Sequence, residues 1–303
     1  MQVYRYTRAP APPRRPETKV VNYRVKLISA VNSMPPLPVV LNRVLGMLSD
    51  DRASAAQIAA LIEKDSVLSG SVLRCINSAY YSVQTRVSSI RHAVTLLGFA
   101  TVRNLALAFS MRRMMSKNQP SKKLYSAYSR HALGCAVMTQ FLAVYKRSDD
   151  LEAAFAAGLF HDVGKLLVLT TFPDVMPEIV KKWDEQECSW YEAEQEILDI
   201  THTELSEIVL EGWKLPDVIR NAARWHHDPA SFPGAEPGDH NLARLVQAAD
   251  AAVKSQGLEV VASPKRRPES PDEILTSIGL GDNVPELLAK FQKEFEGLQS
   301  IFS

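Results

Sequence analysis

The sequence predicts an all-α protein of two packed helical lobes. Apolar residues recur every three or four positions from about residue 34 onward, and this spacing places them on one face of a helix. No run of alternating apolar and polar residues lies between turn signals, as β-strands would require. The chain has 303 residues, which is near the upper limit for one hydrophobic core and therefore favours two lobes.

The N-terminal lobe is assigned to residues 25–115, where five short helices are expected one after another. Ser, Thr and Asp side chains accept hydrogen bonds from the free N–H groups at a helix start, and proline fits the first helical position. Such residues precede the apolar stripes of this region. The expected starts are Pro38, Ser54, Asp65-Ser66, Ser88-Ser89 and Thr101.

The C-terminal lobe is assigned to residues 116–256. The stretch Met111–Lys123 is basic and contains no acidic residue, so it is interpreted as the loop that connects the lobes. A long helix follows, with apolar residues from Leu124 to Leu142 at spacings of three and four. Further helices are expected at residues 151–160, 190–197, 203–213, 216–227 and 241–254.

The two ends of the chain and its last connection have a different character. Residues 1–24 hold four prolines and an excess of basic residues, which is typical of a flexible, solvated tail. Residues 257–271 are interpreted as a linker, and residues 272–303 are expected to form a final amphipathic helix.

The composition excludes several classes of protein. Lys and Arg number 35 against 34 Asp and Glu, so the net charge of +1 gives no overall attraction to nucleic acid or lipid. No segment is apolar for long enough to span a bilayer, and the basic N-terminus runs into prolines rather than an apolar signal segment. Cys75, Cys135 and Cys188 are far apart, which excludes a disulfide framework and suits a reducing compartment. We therefore expect a cytoplasmic protein with no membrane partner.

Five of the seven histidines fall at helix positions next to apolar faces. Imidazole and carboxylate groups on rigid helices are ligands for Fe, Mn, Mg or Zn ions, and a carboxylate such as Asp162 can bridge two of them. Each residue also has a structural explanation, because a single histidine can be a hydrogen-bonded core residue and a pair can complement a helix dipole. The spacing alone leaves both interpretations open. The set is His131, His161, Asp162, His202, His226, His227 and Asp250.

This ordered set resembles the metal-ligand pattern of the HD phosphohydrolases and their HD-GYP branch. The resemblance implies that the C-terminal lobe is an HD-type helix bundle holding one or two divalent ions, with iron or manganese favoured over magnesium or zinc. Asp162 would bridge the ions, and Lys165 matches the lysine of the HD-x-G-K motif, which contacts a substrate phosphate. Asp162 and Lys165 would be the catalytic residues of an enzyme. The first ion would be held by His131, His161, Asp162 and Asp250, and the second with the help of His202, His226 and His227.

The first half of the chain resembles the HDOD domain, an HD-related output domain of bacterial signalling proteins. The resemblance spans roughly Leu27 to Lys254 and implies a regulatory role. Many HDOD domains have lost their metal ligands, whereas this sequence has the whole set. The Gly-Tyr-Pro of the HD-GYP branch is missing after His226-His227, so cleavage of cyclic di-GMP does not follow. The matching residues are Pro35-Pro36-Leu37-Pro38, Asp65, Leu68, Leu73, Asn77-Ser78-Ala79, Ile90, Ala93 and Leu97-Gly98.

Three functions follow from these patterns. The leading one is a metal-bound bacterial signalling module that acts through contacts with signalling protein partners. The alternative is a metal-dependent phosphohydrolase that acts on a nucleotide or cyclic nucleotide, for which Asp162 and Lys165 would be essential. A nucleic-acid regulator that uses the basic tail and the Arg112–Lys123 stretch is weaker, because no aromatic residues or recognition helix accompany the charge.

Overall fold

In the computed structural model, all regular secondary structure of the described residues is helical, and no strand occurs among them. The all-α prediction is confirmed. The predicted tail is outside the described residues up to residue 21, as are Pro35 and Pro36. The described residues are 22–32, 37–47, 54–78, 81, 83–115, 121–186, 188–233, 241–263, 265 and 270–302.

The helices in the first part of the chain are α1 (Tyr23–Asn32), α2 (Val39–Gly46), α3 (Ala55–Glu63), α4 (Ser66–Ile76), α5 (Ile90–Leu97) and α6 (Phe99–Met115). They are followed by α7 (Lys122–Lys146), α8 (Leu151–Phe160), α9 (Val163–Thr171), α10 (Met176–Glu185) and α11 (Trp190–Leu198). The remaining ones are α12 (His202–Gly212), α13 (Asp217–Trp225), α14 (Leu242–Ser255), α15 (Pro271–Ser277) and α16 (Val284–Phe302).

Capping side chains begin three of the helices where the sequence predicts them. Ser54 accepts a hydrogen bond from the backbone N–H of Gln57 at the start of α3. Asp65 accepts hydrogen bonds from two backbone N–H groups at the start of α4, and Ser89 accepts one at the start of α5. Each cap satisfies backbone donors that have no partner inside the helix.

The predicted loop at Met111–Lys123 is wrong at both of its ends. The helix α6 begins at Phe99 rather than Thr101 and continues to Met115, while α7 begins at Lys122 behind the cap Ser121. The helix α6 starts early because Gly98, with a φ of +84°, ends α5 and is the single residue between the two helices. The basic residues near the end of α6 complement the negative end of its dipole, so they favour helix there. Residues 116–120 are outside the described residues.

Asn77 closes the loop that follows α4. Its side-chain amide donates hydrogen bonds to the carbonyls of Leu73 and Val87, both at 2.8 Å, and its oxygen accepts one from the Val87 N–H, also at 2.8 Å. The side chain thereby replaces backbone partners that the end of a helix lacks. A structural role accounts for the asparagine of this motif.

Contacts cross between the two parts of the chain. The helix α1 packs on α9 and α12, and α16 packs on both α4 and α7. Arg103 of α6, which is 1% exposed, forms an ion pair with Glu152 of α8. The division into two separate lobes stays a prediction.

The core that positions the site is built around α7 and α8, with α13 and α14 packed against them. Backbones approach closely at two glycines. A Cβ atom at Gly158 would lie 2.4 Å from the carbonyl oxygen of Cys135, and one at Gly164 would lie 2.1 Å from that of His202. No residue with a side chain fits either position without a shift, so glycine allows α8 to touch α7 and α9 to touch α12.

One stretch, Leu151–Thr171, is long and apolar enough to cross a membrane by length and composition, so the expectation that no segment reaches this length is wrong. It comprises α8 and α9, and 94% of its most apolar window is buried inside the protein. This burial is what a core helix of a globular protein shows, since the helix faces other helices on every side.

Candidate metal centre

The HD motif lies at the break between two core helices. His161 and Asp162 form the short turn between α8 and α9, and both are 0% exposed. The other five members of the predicted set come from four further positions around this turn. His131 lies in α7, His202 begins α12, His226 and His227 follow α13, and Asp250 lies in α14. The structure brings all seven side chains together; His227 is partly exposed and the rest are buried.

One group of donor atoms surrounds His131 and His161. The Nε2 atom of His131 lies 3.2 Å from Asp250 Oδ1 and 3.7 Å from Asp162 Oδ2. The Nε2 atom of His161 lies 3.4 Å from Asp162 Oδ2 and 3.9 Å from Asp250 Oδ1. Two imidazole nitrogens and two carboxylate oxygens therefore face one point.

A second group lies on the other side of Asp162. Its Oδ1 atom is 3.3 Å from the Nε2 atom of His202 and 3.6 Å from that of His226. The Nε2 atoms of His202 and His227 are 3.1 Å apart. The donor atoms of Asp162 and the three histidines all lie within 4.8 Å of one another. The two oxygens of Asp162 thus face different groups.

Four atoms of these groups are buried and have no hydrogen-bond partner among the described residues. They are the Nε2 atoms of His161 and His226 and the Oδ1 atoms of Asp162 and Asp250. Leaving a buried polar group unsatisfied costs about 1–3 kcal/mol, and more when the group is charged. A cation in each group would satisfy all four, so the donor set fits divalent metal ions.

The far nitrogens of three histidines are fixed by backbone carbonyls. When Nδ1–H donates to an oxygen, the proton is held there and the lone pair of Nε2 is left facing the centre. The acceptors are Leu258 O for His131 at 2.9 Å, Gly158 O for His161 at 2.8 Å and Ala223 O for His226 at 2.8 Å. This tautomer is the one that binds a metal through Nε2.

His202 is oriented by a buried carboxylate instead. Glu194 of α11 is 1% exposed, and one of its oxygens lies 2.5 Å from His202 Nδ1. The same oxygen accepts the backbone N–H of His202 at 2.8 Å, while Trp190 Nε1 donates to the other at 2.7 Å. Pairs of carboxylate and histidine are typical of metal sites, where the carboxylate raises the basicity of the ligand. Sequence patterns do not single out Glu194, although its four-residue spacing from Trp190 is compatible with this contact.

The charge states of Asp162, Asp250 and His226 match those of metal ligands. Burial would raise the pKa of Asp162, but His161 and Lys165 outweigh it and hold that pKa well below its usual range. The pKa of Asp250 is likewise held low, against burial, mainly by Lys254. Burial and the neighbouring histidines lower the pKa of His226 well below its ordinary value. Ionised carboxylates and neutral imidazoles are the forms that coordinate metals.

A cavity of about 210 Å³ opens beside the cluster. His131 of the first group and His227 of the second both line it, together with Lys165 and Lys254. The two lysines form ion pairs with the carboxylates of the cluster, with Nζ–Oδ2 distances of 2.7 Å from Lys165 to Asp162 and 2.6 Å from Lys254 to Asp250. The remaining wall is largely apolar and is formed by Leu169, Met176, Trp183, Trp190, Glu259, Val260 and Val261.

Part of the predicted linker 257–271 belongs to this site. Glu259, Val260 and Val261 line the cavity, and the carbonyl of Leu258 holds His131. A turn at Gly257, with φ of +72°, follows the end of α14, and the Leu258 N–H donates back to the carbonyl of Val253. Residues 257–271 show no helical period, so the sequence gives no sign that they contribute to the site.

Similar proteins share this fold. A protein from Shewanella amazonensis SB2B, provisionally named a phosphohydrolase, is 22% identical, with a TM-score of 0.72 over 92% of this chain and 99% of that chain. One from Marinobacter aquaeolei VT8, provisionally named a signal transduction protein, is 21% identical, with a TM-score of 0.70 over 94% and 67%. An uncharacterized protein of Treponema pallidum (strain Nichols) is 23% identical over 221 residues, which are 72% of this chain. The chain spans 42% of that relative's length.

These identities establish a shared fold and no more. The family assignment comes from the sequence itself, because residues 34–229 match the family model of the HDOD domain. The match covers the helices from α2 to α13 and includes six of the seven donor residues: His131, His161, Asp162, His202, His226 and His227. Since it takes in well over half of the sequence, this chain belongs to the HDOD domain family.

Proposed function

We propose that this chain is a metal-binding HDOD signalling module whose HD-type site hydrolyses a phosphoester. The observation that carries the proposal is the position of Asp162, whose two oxygens face two separate groups of donors beside an open cavity. A carboxylate in that position suits a pair of divalent ions. In this proposal His131, His161 and Asp250 hold the first ion, His202, His226 and His227 hold the second, and Asp162 bridges them.

The open side of the cluster supports hydrolysis over a purely structural metal site. Structural sites are closed by protein ligands, whereas catalytic sites keep a position free for water or substrate. His131 and His227 each belong to a different group of donors, and both line the same cavity. A small molecule in that cavity would therefore reach both ions.

Two lysines supply positive charge where a phosphate would lie. A pair of bound divalent ions supplies Lewis acidity and an activated water. Lys165 and Lys254 stand beside them in the cavity wall and can donate hydrogen bonds to phosphate oxygens, which steadies the charge that develops during hydrolysis. Trp190 lies beside Lys165, with Nζ 6.0 Å from the ring centre, and Trp183 packs edge-on against it. An aromatic wall next to a phosphate site suits a nucleotide.

The test combines elemental analysis with a hydrolysis assay on one sample. We expect the protein loaded with iron or manganese to hydrolyse bis(p-nitrophenyl) phosphate or a member of a nucleotide panel. Asp162→Ala should lose both metal and activity, whereas Lys165→Ala should keep the metal and lose activity. Asp174→Ala, an exposed aspartate outside the cluster, is the matched control. A parent protein that binds no divalent metal would overturn the proposal.

A second function, regulation through protein contacts in the bacterial cytoplasm, is supported by the first part of the chain. None of the seven donor residues lies in α1 to α6, so these helices are available for a role other than metal binding. Signalling protein partners are the expected binders. If metal-loaded protein shows no hydrolysis and Lys165→Ala still restores signalling in a strain that lacks the protein, this function replaces the first.

A further inference from the structure

The wall of the cavity carries one acidic side chain. Among the described residues that line the cavity, Glu259 alone has a carboxylate. It follows the turn at Gly257 and is half-buried. Its carboxylate makes no hydrogen bond or ion pair with the described part of the chain, and burial raises its pKa against the opposing effect of Lys254. A carboxylate in these surroundings is stabilised by a ligand that brings positive charge or N–H donors.

A phosphate would not lie against Glu259, because like charges repel. The cations of the cavity wall, Lys165 and Lys254, stand beside the two donor groups, where each pairs with a carboxylate of the cluster. A phosphate is therefore held at that end of the cavity. Glu259 marks the place of a second group on the same ligand, and this group has the opposite charge.

Two indole rings form a corner of the same wall. Trp183 of α10 and Trp190 of α11 have ring centres 5.3 Å apart and planes inclined by 72°. The Nε1–H of Trp190 donates to Glu194, which fixes the ring. Rings that are nearly perpendicular do not form the parallel slot in which a nucleobase stacks on both sides. They resemble the aromatic cages that bind alkylated ammonium groups by cation–π attraction.

The corner and the acid both lie close to the phosphate end. The Nζ atom of Lys165 is 6.0 Å from the centre of the Trp190 ring, and Lys254 acts electrostatically on Glu259. In a nucleotide a whole sugar separates the base from the phosphate, so a nucleobase would lie farther away. The cavity of about 210 Å³ is also smaller than the roughly 300–1,000 Å³ of sites for drug-sized ligands. Both observations favour a short ligand.

We propose that the cavity binds a phosphoester of an amino alcohol, and that Glu259 selects it through its ammonium group. The phosphate lies at the donor groups and the two lysines, and the ammonium lies between Glu259 and the two indoles. The inference rests on the proposed function for the reaction that follows binding. Hydrolysis adds water across the P–O bond and releases phosphate and the free amino alcohol.

The experiment compares two ligands of equal shape in the full chain incubated with manganese. Phosphocholine carries the cation, and 3,3-dimethylbutyl phosphate has a neutral carbon in place of the nitrogen. By isothermal calorimetry, the parent should bind phosphocholine about 10-fold more tightly or better, because the carboxylate and the indoles attract only the cation. Glu259→Gln keeps the size and loses the charge, so it should bring the ratio of affinities toward one. Glu178→Gln, an exposed glutamate on α10, is the matched control and should keep the ratio.

The outcomes separate this inference from the proposed function. If the parent binds both ligands equally, binds neither, or binds GMP more tightly than phosphocholine, the inference is wrong. Hydrolysis of bis(p-nitrophenyl) phosphate by the same sample would then leave the proposed function standing. If phosphocholine is preferred through Glu259 but no phosphoester is hydrolysed, the binding site stands and the hydrolytic function is wrong. An equal loss of preference in Glu178→Gln would also count against Glu259.

Discussion

Glu194 shows how a residue outside the donor set can control the proposed metal centre. Its carboxylate holds the ring and the backbone of His202 with the same oxygen, at 2.5 and 2.8 Å, and Trp190 fixes the other. The imidazole then has one orientation and one tautomer, with Nε2 aimed toward Asp162. The orientation of His202 in the second donor group therefore depends on α11, a helix that contributes no proposed ligand.

Replacing Glu194 by Gln should weaken binding at the second site. The amide keeps the size but loses the charge that makes His202 a strong donor, and we expect roughly 10- to 100-fold lower metal affinity. Titration with zinc, followed by isothermal calorimetry, measures the change. Glu196→Gln, whose side chain is 70% exposed on the same helix, should bind like the parent. Equal affinities for the two variants would show that Glu194 is only a structural residue.

The sequence reveals the donor residues of the site but not the residues that orient them. The donors from His131 to Asp250 stand in a characteristic order along the chain, so they can be recognised without coordinates. Glu194 and Leu258 act through contacts that only the packing of helices creates.

At the scale of elements, the break between α8 and α9 sets the whole site. A continuous helix would turn His161 and Asp162 toward different neighbours, whereas the short turn places both at the meeting point of α7, α12 and α14. Gly164, in the first turn of α9, lets α12 approach until the Gly164 N–H donates to Ser206 Oγ at 2.9 Å. The contact fixes the start of α12, and His202 is its first residue.

Gly164→Ala should therefore damage both stability and metal binding. Its Cβ would lie 2.1 Å from the carbonyl of His202 and 2.8 Å from the backbone nitrogen of Ser206, and neither can move without α12. We expect a loss of about 1–3 kcal/mol in the free energy of unfolding, the usual cost of overpacking, together with lower zinc content. Urea unfolding and elemental analysis measure the two effects.

The matched control is Gly212→Ala at the end of α12, where an added Cβ meets no atom within 4 Å. Alanine there should leave stability unchanged or raise it by up to about 1 kcal/mol, because alanine favours helix. If Gly164→Ala were as stable as Gly212→Ala, the close approach of α9 and α12 would not be needed for the fold.

Two helices that the sequence leaves unpredicted, α9 and α1, both lack a clear apolar stripe opposite a polar face. The helix α9 is buried from Val163 to Leu169 on every side, so its residues show no helical period. The helix α1 has a single fully buried residue, Leu27, and it follows a proline-rich segment that hides its start. Amphipathic helices with a cap, such as α3 and α4, are predictable because half of each surface faces water and the cap marks the boundary.

For the molecule as a whole, the buried cluster links stability to pH. Burial lowers the pKa of His131, His226 and His227 in the folded, metal-free protein. These histidines take up protons on unfolding, so stability falls as pH drops below about 6.5, the ordinary histidine value. For His161, Asp162 outweighs burial and raises the pKa. Its opposing effect acts only above about 6.5, since below that value it is charged in both states.

We expect the metal-free protein to lose stability steadily between pH 6.5 and pH 5. The three histidines with lowered pKa gain charge only in the unfolded state, which binds more protons and is favoured by acid. The midpoint of urea unfolding, measured across this range after treatment with a chelator, tests the sign. His226→Gln should flatten the dependence, because it removes one of the three groups. A midpoint that is constant or rises toward pH 5 would contradict the linkage.

The size of the cavity and the segment beside it argue against cyclic di-GMP as a substrate. The cavity measures about 210 Å³, whereas sites for drug-sized ligands measure about 300–1,000 Å³. In place of the Gly-Tyr-Pro, residues 228–238 have three prolines, two glycines and no basic side chain. Pro229–Ser231 forms a short 3-10 turn with Pro229 buried, and residues 234–238 are outside the described residues. Nothing in the described part offers a cation to a second nucleotide.

The protein loaded with iron or manganese should therefore release neither linear dinucleotide nor GMP from cyclic di-GMP. Bound ions supply Lewis acidity, but turnover also needs the phosphate to be held in line for attack, and the segment after His227 supplies no group for this. Chromatography of the reaction products tests the prediction, and hydrolysis of bis(p-nitrophenyl) phosphate by the same sample shows that the metal centre is intact. Metal-dependent release that Asp162→Ala abolishes would show the opposite, that Lys165 and Lys254 suffice to position a cyclic dinucleotide without the missing motif.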